Sequence, residues 1–169
     1  MRYPLLIALI LCLIPPSSHG GQDQVLRPLA GPPVRLGDLR GRVAVLAFAG
    51  TSVPFLAREL TSLQRLAGRY ESRQVAFYWV CIDSDRPGTK SYSSNEQIQS
   101  FLRSSNLRLE VLRDPEMASY RHFGLEAVPT VVLIDRTGRV VRKYVGIETD
   151  QGEVYSDIIA EIEQLIRPS

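Results

Sequence analysis

Cysteine is nearly absent from this chain: its 169 residues contain two, Cys12 and Cys81. So few thiols exclude a disulfide scaffold and a cysteine-rich metal site. Histidine is equally scarce, at His19 and His122, and no His/Cys cluster has metal-ligand spacing. An excess of one charge is also missing. The 20 basic and 18 acidic residues leave a formal charge of +2, which drives neither nucleic-acid nor anionic-lipid binding. The arginines are scattered and lysine occurs only at Lys90 and Lys143, the pattern of a solvated surface. Internal repeats are lacking, and past residue 14 no apolar run approaches the roughly 20 residues of a membrane span. What remains is 44% hydrophobic and 22% charged, with 12 Gly and 11 Pro, the composition of one globular domain able to bury a core.

The first 20 residues have the layout of a secretory signal peptide, leaving 21–169 as the domain. Arg2 gives a positive start, residues 5–14 are unbroken apolar, and Pro15 and Pro16 end the run. Cleavage after Gly20 places Ser18 and Gly20 at the two small-residue positions. Cys12 follows the bulky Leu11, unlike a lipoprotein site. A chain cut there keeps one cysteine, has no stable membrane insertion, and is expected in the periplasm or outside the cell.

Beyond this segment strands alternate with helices. Residues 22–33, with Pro28, Pro32 and Pro33, read as an extended lead-in without a core pattern. Val43–Ala49 and residues 75–82 are continuous apolar runs, expected of strands buried on both faces. Between them Leu56, Leu60, Leu63, Leu66 and Tyr70 keep helical spacing over 54–70, with Pro54 in the first turn. Residues 83–92 form a polar loop, and Ser94 with Gln97 makes a capping box for a helix to Ser104. A strand at 109–112 follows, then a helix begun by Asp114-Pro115 and ended by a left-handed Gly124. Thr130–Ile134 and Val140–Val145 form a hairpin, and Val154, Ile158, Ile162 and Leu165 line a final helix.

Several segments, taken in order, carry a resemblance. They are Arg35-Leu36-Gly37-Asp38-Leu39-Arg40-Gly41, Phe48-Ala49-Gly50-Thr51-Ser52, Arg113-Asp114-Pro115, His122-Phe123-Gly124, and Ala127-Val128-Pro129-Thr130 with its hairpin. Together they resemble the thioredoxin-like superfamily, nearest the extracytoplasmic TlpA-like thiol–disulfide oxidoreductases, with the peroxiredoxin-type branch next. The resemblance implies an α/β thioredoxin fold, a central mixed β-sheet flanked by helices. It also implies an attacking thiolate at the start of the first long helix and a cis-proline loop at Val128-Pro129 beside it. In that position a helix N-terminus lowers a thiol pKa, and a second cysteine resolves the mixed disulfide.

Against that pattern the chain departs. Val53 and Leu56 occupy the positions where the family has its cysteines, and Ser52 replaces its tryptophan. The peroxiredoxin alignment also puts Val53 at the thiol position. No catalytic residue, cofactor or metal is therefore expected. Cys81 reads as a buried, inert thiol, with a reachable strand-end thiol as its alternative. Thr51 and Ser52 read as helix-capping hydroxyls, and His122 as a surface residue near a helix end.

The expected function is a non-catalytic module that binds a protein or peptide. Its candidate ligand-binding residues are Thr51, Ser52, Val53, Phe55, Val128, Pro129 and Thr130, with Val53 and Phe55 exposed and Leu56 turned to the core. The alternative is a thiol–disulfide oxidoreductase or peroxiredoxin-like enzyme working through Cys81.

Overall fold

The computed structural model describes residues 24–146 and 152–167. The expected signal segment therefore lies outside the described residues. Seven strands make one sheet: β1 (Val25–Pro28), β2 (Val34–Arg35), β3 (Val43–Ala49), β4 (Val75–Cys81), β5 (Glu110–Arg113), β6 (Thr130–Ile134) and β7 (Val140–Val145). Their order is β2-β1-β5-β4-β3-β6-β7. The pairs β3–β4 and β4–β5 are parallel, whereas β3–β6, β6–β7, β1–β5 and β1–β2 are antiparallel. This mixed α/β sheet is the expected thioredoxin fold.

Both apolar runs take the central places, because a strand buried on two faces needs no polar alternation. Along β3, Val43, Val45, Ala47 and Ala49 face one cluster, while Ala44, Leu46 and Phe48 face the other. The first cluster is closed by α1 (Leu56–Arg69), α2 (Asn95–Ser104) and α4 (Glu153–Leu165), through Leu60, Leu63, Ile98, Ile158 and Ile162. The second is closed by a short helical turn, Leu36–Leu39, and by α3 (Ala118–His122) with the residues after it. There the Phe48 and Phe123 rings meet edge to face at 5.7 Å, an arrangement that adds about 1 kcal/mol to area burial.

Four expectations change. The proline-rich lead-in contains β1, whose Leu26 is fully buried and whose Arg27 and Pro28 pair with Arg113 and Leu112. Pro54 lies outside α1, because Phe55 adopts a left-handed conformation and the helix begins at Leu56. The third helix starts at Ala118 rather than at Asp114-Pro115. Asp114 instead caps it from outside, accepting the Ala118 and Tyr120 N–H groups, each at 2.8 Å. The polar loop from Asp83 opens with a buried residue, as Asp83 itself is enclosed. The capping box at Ser94 forms as expected, and Gly124 is left-handed at φ +57°.

Candidate functional site

Register brings the candidate residues together. Ala49 pairs with Cys81, Cys81 with Arg113, and Phe48 with Thr130. The last residues of β3, β4 and β5 therefore meet the first of β6, at the strand ends where open α/β sheets carry their ligand sites.

A buried polar network holds this end of the sheet. Asp83 Oδ2 accepts the Thr51 N–H at 3.0 Å and the Thr51 hydroxyl at 2.6 Å. The Thr51 and Ser93 hydroxyls lie 3.1 Å apart. Gly50 is what lets the carboxylate approach: a Cβ there would stand 2.4 Å from Asp83 Oδ1. Arg113, also buried, donates to the Asp83 carbonyl and to Asn95 Oδ1, each at 2.9 Å. Thr51 is therefore anchored inward, while Ser52 is exposed.

At the head of α1, Val53 closes a turn by donating its N–H to Gly50 O at 3.1 Å. Its side chain is half-buried against the core, which corrects the expectation that it is exposed. Leu56 points into the core as expected. Phe55 is different. It caps α1 without a side-chain hydrogen bond, at φ +61° and ψ +12°, and its ring is 72% exposed with the Arg58 guanidinium 5.2 Å from the ring centroid.

Cys81 has no exposed surface. Burial pushes its thiol up to about 12, and the neighbouring Asp83 carboxylate adds to the rise. The thiol is buried, as expected.

The peptide bond Val128-Pro129 is cis. Much of this loop is already committed to internal bonds. Pro129 O accepts the Gly146 N–H at 2.7 Å, Thr130 Oγ1 donates to Ala127 O at 2.7 Å, and Thr130 is buried between β3 and β7. Among the described residues Val128 keeps both its N–H and its carbonyl without a partner, and its side chain is 37% exposed. Val145, which sequence reading missed, stands opposite Thr130 on β7 and is 70% exposed. Its place opposite Thr130 depends on strand register across a hairpin, which composition does not reveal. His122 lies on the surface, away from these residues, at the end of α3. Among the described residues no three His, Cys, Asp or Glu side chains are grouped to hold a metal ion.

A sheet of this order, with a long helix leaving β3 and a cis-proline opening β6, defines a thioredoxin-fold domain. The AhpC/TSA family model matches residues 22–143, and the chain belongs to that family. The thiol-disulfide oxidoreductase ResA of Halalkalibacterium halodurans is 26% identical over 144 residues, covering 85% of this chain and 73% of that protein. A secreted disulfide oxidoreductase of Mycobacterium tuberculosis, homologous to E. coli DsbE, superposes with a TM-score of 0.64 at 20% identity, covering 85% of this chain and 96% of that one. The exposed lipoprotein thioredoxin of Streptococcus pneumoniae gives a TM-score of 0.65 at 21% identity, covering 85% and 99%. The family is thus that of thiol–disulfide oxidoreductase-like thioredoxin folds, and it speaks more for the oxidoreductase expectation than for the binding module.

Proposed function

We propose that this chain, destined for the periplasm or the exterior, binds an extended segment of another protein at the end of the sheet and carries out no disulfide exchange there. Phe55 carries the reading. Helix caps favour Ser, Thr, Asp or Asn, a left-handed conformation costs a non-glycine residue roughly 1–2 kcal/mol, and an exposed phenyl forgoes its burial. All three effects work against stability at one residue, so a role in contact with another molecule accounts for it. Val128 supplies the complementary feature, a free N–H and carbonyl able to pair with an extended backbone. The exposed Val128 side chain adds apolar surface beside that backbone, and Val145 is exposed opposite Thr130 on β7.

The second reading, a thiol–disulfide oxidoreductase, is favoured by the relatives' names. It requires a thiolate, and the sequence offers only Cys12, in the expected signal segment, and Cys81. Exchange through Cys81 would require the end of β4 to open.

One set of measurements separates the two. Labelled, reduced insulin B chain serves as the extended probe in fluorescence anisotropy, alongside insulin-reduction and peroxide-consumption assays. Binding weakened by Phe55→Ala, with neither activity present, supports the module. Activity that disappears in Cys81→Ser overturns it in favour of the enzyme.

A further inference from the structure

At the other end of β6, remote from Thr130, a cavity of about 440 Å³ opens between the Leu36–Leu39 turn, the end of α3 and the β6–β7 turn. Small-molecule sites span roughly 300–1,000 Å³. Leu36, Phe123 and Ile134, apolar side chains that are 4–7% exposed, form its floor. Arg40, His122 and Arg139 stand around it, and no acidic side chain lines it.

The basic groups differ in how far they are already satisfied. Arg139 shares Asp135 at 3.5 Å, a carboxylate that also accepts the Thr137 N–H and hydroxyl and the Arg139 N–H. Arg40 makes no ion pair among the described residues. Its stem lies across Gly138, where a Cβ would stand 3.3 Å from both Arg40 Cγ and Nε. Gly138 sits at φ +86°, so the turn that admits this stem also disfavours any side chain in its place. Arg40 thus lies at the cavity, and its guanidinium has no hydrogen-bond partner among the described residues. Behind the floor, Lys143 Nζ donates to Phe123 O, adding another positive charge.

We propose that this cavity binds a small anionic amphiphile, a medium-chain carboxylate whose head pairs with Arg40 and whose chain covers Leu36, Phe123 and Ile134. A guanidinium donates two parallel hydrogen bonds to a carboxylate. A neutral chain gains nothing from the basic residues, and a bare anion releases no water from the apolar floor. The site is independent of the peptide-binding reading, because it uses none of its residues.

Calorimetry on the full chain tests it, with decanoate below its micellar range, against decanol, decyltrimethylammonium and acetate. Decanoate is expected to bind saturably at one site, and Arg40→Gln to weaken it at least about tenfold. Val140→Trp, which narrows the cavity from an exposed position, is expected to weaken it as well. Arg108→Glu, an exposed arginine at a different surface, should leave it unchanged. Amide shifts at Gly138 and His122 on titration locate the ligand. Absence of saturable decanoate binding, equal affinity for decyltrimethylammonium, or an unchanged Kd in Arg40→Gln overturns the proposal.

Discussion

Thr51 and Asp83, separated by 32 residues, are joined twice: the backbone N–H and the hydroxyl of Thr51 both donate to one carboxylate oxygen. The pair ties the turn after β3 to the loop after β4, the two segments between which the candidate site is built.

Breaking that tie should be costly. Asp83→Ala leaves the part-buried Thr51 N–H unpaired and its hydroxyl with Ser93 alone, at about 1–3 kcal/mol for an unsatisfied group and about 1 kcal/mol for a lost hydrogen bond. Urea denaturation is expected to give a loss of roughly 2–4 kcal/mol. Gly50→Ala should also destabilise, since its Cβ would collide with Asp83 Oδ1. A variant at either position with native stability would contradict the network as described.

Phe55→Asn is expected to move stability the other way, by about 1 kcal/mol, because asparagine tolerates the left-handed conformation and can cap α1. The lost cation–π contact with Arg58 offsets part of that gain, about 0.5 kcal/mol at an exposed site. The same change should weaken insulin B chain binding. A loss of stability would show that the exposed ring supports the fold itself.

The thiol of Cys81 sets an alkaline limit. Its value rises from 9.0 to about 12 on folding, so between these pH values the unfolded chain loses a proton that the native chain keeps. Its contribution is fully present below about pH 9 and declines as pH rises toward 12. Tyr70, raised from 10.0 to about 12 chiefly by burial and then by Glu163, acts in the same direction. Chemical-denaturation midpoints measured from pH 7 to 11 should stay level and then fall, with a shallower fall in Cys81→Ala. Identical slopes would remove Cys81 as a cause. At neutral pH a thiol reagent should label Cys81 only after denaturation.

Val53→Cys with Leu56→Cys tests the positions that the resemblance assigns to the cysteines. The pair should form a reducible disulfide and confer insulin-reduction activity that depends on both introduced thiols. Leu56 is buried, so the variant should also lose roughly 2–4 kcal/mol of stability. A folded variant in which thiol titration finds both cysteines free would show that these are not the paired positions.

Strand and hairpin limits were legible where a signal was local. The apolar runs of β3 and β4, the Ser94 capping box and the turn between β6 and β7 all depend on neighbours in sequence. Helix starts were less so. Phe55 and Met117 each enter a helix in a left-handed conformation, which nothing in an apolar or sulfur-containing side chain announces. Leu26 seals the core from a segment too short and too rich in proline to display a period. At the site, the placement of Leu56 and the burial of Cys81 followed from their positions in apolar patterns. Asp83 did not, because its partners Thr51 and Ser93 come from other segments. Val145 escaped because its exposure follows from an edge strand that has a neighbour on one side alone.

The seclusion of Cys81 also fixes how the chain ages. Oxidants act on thiolates they can reach, and the sole thiol of the described domain is neither ionised at neutral pH nor accessible. Folded domains should neither cross-link through sulfur nor need a reductant to restore them after exposure to air. Oxidation of Cys81 should therefore follow how often the β4 end opens.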